Sequence, residues 1–523
     1  MDAETRDRVN VDPTLANALR ERLRAETGHP VSLIETHISW VLLTATRAYK
    51  LKKPVRLSFV DFGSLAARRH FCEEELRLNR RLAPALYLSV EPVCGTPDAP
   101  RIGGDGEAID YVVCMRRFPD GALLRELLLA GRLEPARLDG LATRLADFHA
   151  QAPVAAPPLT FGAPAQVEGP VTGVLAQLAV ECGAARMEGL RRWVADRSQD
   201  LRMTWLYRQR DGAVRECHGD LHLANAVQVD DELMPFDCIE FDPALRWIDV
   251  MSDLAFLTMD LKAHGRADLA ARVLDVYLQQ GGDYEGLAVL RFYEVYRALV
   301  RALVGRLRAR AGAAPQPGEP DYLQLAERLV RGSVNAEPRL LITHGLSGSG
   351  KSTIAGQLLE RTGAIRLRSD VERKRLYGLG ALQRSAGQAI DIYTPEATRR
   401  TFAHLATCAR AALQAGYPVI VDAAFLRHAE RQAFRSLAAE LHVPFTILDC
   451  RASEAQLRQR VAERDAGRAD ASEATLDVLE RQFAFQEPLD ASERAIALEV
   501  DTETPPDPAL LTARWKAATL PRP

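Results

Sequence analysis

The sequence contains very little lysine. Seven lysines stand against 60 arginines. Three of the seven lie close together, at positions 50, 52 and 53, and another, Lys351, lies in a glycine-rich segment. Because arginine supplies the positive charge almost everywhere else, the few positions that keep lysine are candidates for a specific chemical role.

Several other features are absent, and each absence narrows the class of protein. No run of about 18 apolar residues occurs, so we expect no membrane-spanning helix and no membrane partner. Residues 1–5 are charged and precede no apolar segment, which predicts a cytoplasmic protein without a secretory signal. The eight cysteines form no CxxC pair, which favours buried, reduced thiols. A net charge of −3 argues against a nucleic-acid partner.

Length and hydrophobic pattern predict two folded parts. A chain of 523 residues is too long for one hydrophobic core. Residues 1–335 mix strand-like and helical patterns, which predicts an α+β domain. From residue 336 to 523, strands and helices alternate, which predicts an α/β domain with a parallel sheet. The Pro/Gly-rich segment 311–320 is either part of the boundary or a loop within the first domain.

A Walker A loop occupies residues 345–352, with the sequence GLSGSGKS. It follows an apolar strand at 340–343 and precedes a predicted helix that ends near residue 361. Glycines let backbone N–H groups reach a phosphate chain, lysine follows the β/γ charge, and a hydroxyl binds Mg²⁺. The loop therefore predicts ATP and Mg²⁺ as cofactors. Its predicted nucleotide-binding residues are Gly345, Ser347, Gly348, Ser349, Gly350, Lys351, Ser352 and Thr353, with Ser352 also a Mg²⁺ ligand.

Four further residues of this domain are candidates. Asp422 ends the predicted strand 418–422 and is either a Mg²⁺ carboxylate or an ordinary strand-end cap. Asp370 follows the strand 364–368 and is either the acid that binds or deprotonates the acceptor or the N-cap of the next helix. Arg460 and Arg464 share a helix face and are either lid arginines at the phosphates or part of a solvated basic face.

A second phosphotransfer motif, HxDxxxxN, occupies residues 218–225. In this pattern Asp220 orients or deprotonates the acceptor hydroxyl. Asn225 and Asp237 hold the Mg²⁺ that bridges the phosphates. The five-residue step from Asp220 to Asn225 lets one tight loop direct both side chains at one centre. His218 is expected to support the loop rather than to react.

The C-terminal domain resembles the P-loop kinases of the zeta-toxin and gluconate-kinase type over roughly residues 338–500. The resemblance depends on residues 345–352, Arg368-Ser369-Asp370 followed by Arg373-Lys374, Val421-Asp422-Ala423, and Arg460 with Arg464. It implies an ATP-dependent kinase.

The N-terminal domain is similar to the aminoglycoside phosphotransferase/choline kinase superfamily. The matching segments are 218–225, Phe236-Asp237 and 248–255. The resemblance implies a kinase-like bilobal domain with a small β-rich lobe (about 1–117) and a helical lobe (about 118–335). It further implies that Lys50 or Lys52 positions ATP, paired with one of the glutamates at 73–75; we predict Lys50 and Glu74. No glycine-rich loop precedes the lysine strand, which departs from the kinase pattern.

Together, the two parts resemble a bacterial family described as bifunctional aminoglycoside phosphotransferase-like/ATP-binding proteins. The resemblance implies a phosphotransferase with two ATP sites that acts on hydroxyl groups of small molecules. Two alternatives stay open. One is a regulatory protein whose kinase-like domain only binds a ligand while the P-loop domain acts as an ATPase switch. The other is a toxin-like kinase acting on a nucleotide-sugar.

Overall fold

The computed structural model describes residues 12–57, 60–156, 160–312, 314, 317–332, 337–385, 391–467, 471–504 and 506–519, without the side chains of 465–467. The predicted boundary near residue 335 lies outside these residues. The chain forms two compact units. The first comprises Met1–Arg144, Gln151–Gly162 and Gln209–Asp253, and the second Leu145–Ala150, Ala163–Arg208 and Leu254–Pro523.

The first unit contains a six-stranded antiparallel sheet and three two-stranded pairs. Its strands are β1 (Ser32–Glu35), β2 (Ser39–Leu43), β3 (Arg47–Lys52), β4 (Arg56–Leu57), β5 (Val60–Asp61), β6 (Tyr87–Thr96), β7 (Ala99–Ile102), β8 (Ala108–Arg116), β9 (Val214–Glu216), β10 (Ala226–Val229), β11 (Glu232–Pro235) and β12 (Trp247–Asp249). The large sheet has the order β1-β2-β3-β8-β6-β7, and the pairs are β4-β5, β10-β11 and β12-β9. Strand-like sequence patterns at 40–44, 48–52, 86–93 and 111–115 predict four strands, and each is confirmed with both ends within three residues.

Among the described residues, eight α-helices begin before residue 254. They are α1 (Thr14–Thr27), α2 (Leu65–Asn79), α3 (Leu124–Leu129), α4 (Pro135–Gln151), α5 (Pro164–Cys182), α6 (Ala184–Arg210), α7 (Pro243–Arg246) and α8 (Val250–Ala263). Of these, α1, α2, α3 and α7 belong to the first unit, and α5 belongs to the second. Helix α1 packs Ala16, Leu19 and Leu23 into the same apolar cluster as Trp40 and Leu42. This cluster covers one face of the large sheet.

The second unit contains a five-stranded sheet in which every pair of neighbours is parallel. Its strands are β13 (Leu340–His344), β14 (Ile365–Arg368), β15 (Val419–Asp422), β16 (Phe445–Arg451) and β17 (Ala497–Asp501), in the order β14-β15-β13-β16-β17. All five residues of β13 are buried, as expected of a central strand covered on both faces. The α+β domain followed by an α/β P-loop domain is therefore confirmed as the fold class.

The remaining helices lie in the second unit. They are α9 (Ala267–Gly281), α10 (Leu287–Arg310), α11 (Tyr322–Val330), α12 (Lys351–Thr362), α13 (Ser369–Leu376), α14 (Pro395–Gln414), α15 (His428–Glu440), α16 (Glu454–Gly467), α17 (Leu476–Phe485), α18 (Ala491–Arg494) and α19 (Pro508–Ala517). Ala271 of α9 shares an apolar cluster with Leu341, Leu358 and Trp515. Helix α9 is thus packed into the core beside the parallel sheet.

Two further predictions can be compared with the described residues. All eight cysteines lie in the described part of the chain and are free thiols, and all but Cys182 are buried. Within the same residues, no helix combines the length and the apolar character needed to cross a bilayer.

Candidate functional site

The loop at residues 218–225 lies in the first unit, between β9 and β10. A 3₁₀ turn, Leu223–Asn225, closes the loop. Nδ2 of Asn225 donates to the carbonyl oxygen of Asp220 at 3.0 Å and to its carboxylate Oδ2 at 2.9 Å. The five-residue spacing therefore brings the two side chains into direct contact, as the sequence predicts.

A buried carboxylate anchors the start of this loop. The backbone N–H groups of His218 and Gly219 each donate to Asp253, at 2.9 Å. Nε2 of His218 lies 2.9 Å from the carbonyl oxygen of Phe236. Burial lowers the pKa of His218, so the ring is neutral and donates Nε2–H to that carbonyl. These contacts agree with a supporting role for His218.

Lys50 of β3 connects the large sheet of the first unit to the Mg²⁺ candidate Asp237. Its Nζ lies 2.6 Å from Oδ1 of Asp237 and 2.8 Å from Oε1 of Glu75. Burial opposes the charge, but these carboxylates outweigh burial and raise the pKa of Lys50 well above its usual value. The site therefore holds a charged ammonium group between two carboxylates, one of them the predicted metal ligand.

The prediction of Glu74 as the partner of Lys50 is wrong. Glu74 pairs with Arg77 at 2.9 Å, and Arg246 lies 3.7 Å away. Successive residues of a helix point about 100° apart, so Glu74 leaves the face of α2 that Glu75 occupies. Lys50 and Lys52 together lower the pKa of Glu75 to about 2, against the effect of burial. The sequence indicates Glu75, because Glu75 lies three residues after the apolar Cys72 and three residues before the apolar Leu78.

Lys52 forms a second ion pair behind the first. Its Nζ lies 2.7 Å from Oε2 of Glu75 and also contacts Glu240. All three side chains are buried. Sequence reasoning missed Glu240, since no periodicity relates a loop residue to a strand almost 190 positions earlier. The network gives Glu75 a fixed position between the two lysines.

Replacing Lys52 with methionine is expected to destabilise the first unit. The change leaves Glu240 as a buried carboxylate without its cation, and breaking a buried pair typically costs about 3–5 kcal/mol. Chemical denaturation measures the loss in free energy of unfolding. The double variant Lys52→Met/Glu240→Gln is expected to recover part of the lost stability, because glutamine at position 240 removes the unpaired buried charge. An equal loss in both variants would contradict this explanation.

The Walker A loop joins β13 to α12 in the second unit. Gly345 has φ 136° and Gly348 has φ 84°. A Cβ on Gly345 would lie 2.4 Å from the carbonyl oxygen of Cys450, and one on Gly348 would lie 2.8 Å from that of Leu457. Both positions therefore require glycine, for backbone conformation and for space.

Lys351 begins α12 and folds back over the loop. Its Nζ donates to the carbonyl oxygens of Gly345 and Leu346, at 2.9 and 2.7 Å, and lies 3.3 Å from Oγ of Ser349. Burial lowers the pKa of Lys351, while the nearby Asp422 and Asp370 oppose this effect. Lys351 is followed by Ser352 and Thr353 in the first turn of the helix. The predicted loop residues are thus brought together, with the ammonium group at the centre.

Asp422 ends β15, the strand beside β13, and its side chain is buried. Among the described residues, its Oδ2 has no hydrogen-bond partner, and the nearest cation, Nε of Arg368, lies 3.8 Å away. A buried carboxylate oxygen without a partner is costly unless a cation binds it. The residues therefore fit Mg²⁺, which Asp422 and Ser352 would hold and which would neutralise the phosphates.

Asp370 is the second residue of α13. The N-cap of this helix is Arg368, and no side chain of the described residues caps it, so the alternative of Asp370 as the N-cap is not observed. Its effect on the pKa of Lys351 places the carboxylate near the loop. Asp370 therefore lies within electrostatic reach of the predicted phosphate site, and its role as an acceptor-binding acid stays a prediction.

The two predicted lid arginines differ in position. Nη1 of Arg460 lies 3.3 Å from the carbonyl oxygen of Gly348 in the Walker loop and 2.9 Å from Oγ1 of Thr502. Nη2 of Arg464 donates to the carbonyl oxygen of Ala474 at 3.0 Å. Arg464 also lowers the pKa of Lys351, so it lies within electrostatic reach of the loop. Of the two arginines, only Arg460 forms a hydrogen bond with the loop among the described residues.

One contact to the loop was missed by sequence reasoning. The backbone N–H of Ser347 donates to Oε1 of Gln482 on α17, at 2.8 Å. Gln482 lies 135 positions from Ser347, so no local pattern indicated the contact. This N–H is one of the donors that a phosphate would use.

The chain is similar to several known proteins. Residues 340–489 match the family model described as an AAA domain. A gluconokinase structure from Sinorhizobium meliloti is similar over 35% of this chain and 92% of its own, with 20% identity and a TM-score of 0.25. A choline/ethanolamine kinase family protein from Mesorhizobium loti is similar over 61% of this chain and 92% of its own, with 12% identity and a TM-score of 0.30.

A relative also matches over most of the length of the chain. The uncharacterized protein Rv2004c of Mycobacterium tuberculosis is 30% identical over 457 residues, which cover 85% of this chain and 89% of the relative. The match therefore extends well beyond the AAA domain on its N-terminal side. The chain belongs to the same family as this mycobacterial protein.

Proposed function

We propose that the chain is an ATP- and Mg²⁺-dependent phosphotransferase with two nucleotide sites, which transfers the γ-phosphoryl group to hydroxyl groups of small molecules. The observation that carries the proposal is the contact of Lys50 with both Asp237 and Glu75. A P-loop alone would serve an ATPase equally well. A second set of phosphotransfer groups, assembled in the first unit, favours two kinase sites.

In the first unit, Asp220 would orient or deprotonate the acceptor hydroxyl. Asn225 and Asp237 would hold Mg²⁺, since both offer side-chain oxygens, the ligand type that Mg²⁺ prefers. Lys50 would bind the ATP phosphates while Glu75 keeps its ammonium group in place. The proposal for this unit combines these contacts with the resemblance to the aminoglycoside phosphotransferase/choline kinase superfamily.

In the second unit, the loop N–H groups and Lys351 would bind the phosphates, and Ser352 with Asp422 would hold Mg²⁺. Asp370 would bind or deprotonate the hydroxyl of the acceptor. Arg460 and Arg464 would neutralise the charge that is spread over the transferring phosphoryl group. The AAA-domain match and the burial of Asp422 support this site.

The test is ATP consumption by the wild type, Asp220→Asn and Lys351→Ala against a panel of amino alcohols, sugars and sugar acids. We expect acceptor-dependent turnover in the wild type and partial, complementary losses in the two variants. If Lys351→Ala abolished all turnover, the first unit would be a binding module of the regulatory kind. Absence of acceptor-dependent turnover throughout would refute the phosphotransferase proposal.

A further inference from the structure

Asp275 lies on α9 and is buried against the edge strand of the parallel sheet in the second unit. Nη2 of Arg366 on β14 donates to its Oδ2 at 2.7 Å, and Nε of Arg366 lies 3.3 Å from its Oδ1. Nε2 of Gln279 donates to Oδ2 at 2.6 Å. The ion pair between Arg366 and Asp275 is bidentate, the geometry that orients a guanidinium group most strongly.

The same guanidinium reaches the Walker helix. Nη1 of Arg366 donates to the backbone carbonyl oxygen of Ser352 at 3.2 Å. Ser352 is the residue whose hydroxyl would hold Mg²⁺. Arg366 therefore joins the carboxylate of Asp275 on α9 to the first turn of α12, next to the predicted metal site.

Two carboxylates lie within electrostatic reach of Arg366. Burial opposes its charge, but Asp275 and, more weakly, Asp422 raise the pKa of the guanidinium. Its hydrogen bonds go to Asp275 and to the carbonyl oxygen of Ser352, while Oδ2 of Asp422 accepts none from the described residues. Nε of Arg368 lies 3.8 Å from this oxygen, too far for a hydrogen bond, whereas a guanidinium hydrogen-bonded to Asp422 would occupy the oxygen that a cation needs.

We propose that Asp275 is a positioning residue for the metal site of the P-loop: it holds Arg366 on the backbone of Ser352 and away from Asp422, which leaves that carboxylate for Mg²⁺. The inference rests on the proposed function of the second unit. It goes beyond it by assigning a metal-site role to a helix that carries no part of the Walker motifs.

Other contacts hold α9 in place without Asp275. Nη1 of Arg272 pairs with Glu360 at 2.9 Å. At the other end, Arg375 donates to the carbonyl oxygens of residues 278–280, which satisfies the last turn of the helix. The hydroxyl of Tyr284 donates to the buried Glu372 of α13 at 2.9 Å. Removing the charge of Asp275 is therefore expected to redirect Arg366 without detaching the helix.

The test is Mn²⁺ binding in the presence of ADP, measured by electron paramagnetic resonance. All variants carry Asp237→Asn, which removes a metal ligand from the first unit. We expect Asp275→Asn to weaken Mn²⁺ binding about 10- to 100-fold, the usual effect of losing an outer-shell partner. The double change Asp275→Asn/Arg366→Gln is expected to restore most of the affinity, because the competing charge is gone. Asp268→Asn, a half-exposed carboxylate on the same helix that pairs with Arg266, is expected to have no effect.

Thermal denaturation of each variant shows whether the second unit is intact. Unchanged Mn²⁺ affinity in Asp275→Asn overturns the inference. Equal weakening in the single and double variants also overturns it, because Asp275 would then act only as general support. Failure of the Asp237→Asn parent to bind Mn²⁺ with ADP refutes the proposed P-loop site itself, and the inference with it.

Discussion

Replacing Asp220 with asparagine is expected to lower turnover in the first unit by about 100- to 10,000-fold, the range that a general base contributes. Asparagine preserves the size of the side chain beside Asn225 but cannot take the proton of the acceptor hydroxyl. The change in kcat should exceed the change in KM for ATP, since Asp220 is assigned to the acceptor and not to the nucleotide. The measurement is the kcat of both enzymes in a Lys351→Ala background, where the second unit is silent.

The matched control for this variant is Asp230→Asn. Asp230 lies nearby in the chain, its side chain is 75% exposed, and it pairs weakly with Arg116 at 3.3 Å. Its φ is 53°, a left-handed conformation that asparagine also adopts readily. We expect kcat within about twofold of the parent, as is usual for surface changes away from a site. Similar losses in both variants would contradict the role assigned to Asp220.

Replacing Lys351 with alanine is expected to remove nucleotide binding from the second unit. The ammonium group lies at the centre of the loop and would pair with the β/γ-phosphates. Truncating one partner of a buried, hydrogen-bonded charge pair costs about 2–5 kcal/mol of binding free energy. The measurement is the Kd of a fluorescent ATP analogue in a Lys50→Ala background, so that the signal reports the P-loop alone.

Lys516→Ala is the matched control in that background, because Lys516 is an exposed lysine of the same unit, on α19. Its Kd should equal that of the parent. An unchanged Kd in Lys351→Ala would show that the analogue binds elsewhere. A loss in both lysine variants would indicate a general electrostatic effect rather than a contact with the phosphates.

The C-terminal α/β part of the fold, in which strands and helices alternate, could be predicted from sequence because its elements are locally determined. The strand 419–422 is an unbroken apolar run that ends in an acid, and the helix 395–414 carries a clear apolar face after an N-cap threonine. The Walker loop fixes the order of strand, loop and helix around it. The last strand of the sheet, 497–501, was missed because its buried and exposed residues alternate within only five positions.

Contacts between distant segments could not be predicted in this way. Choosing between Glu74 and Glu75 requires knowing which face of α2 each residue occupies, and an error of one residue places the side chain on a different face. Glu240 and Asp275 act through ion pairs with strands far away in the chain, and no periodicity encodes such pairs. Helix α9 reads as an ordinary amphipathic helix, so its place in the core of the second unit became visible only in three dimensions.

The central claim is that the chain holds two independent nucleotide sites. Isothermal titration of the wild type with a non-hydrolysable ATP analogue and Mg²⁺ tests it most directly. We expect a stoichiometry of about two per chain, falling to about one in Lys351→Ala and to about one in Lys50→Ala. A stoichiometry of one in the wild type, abolished by either single variant, would contradict the claim.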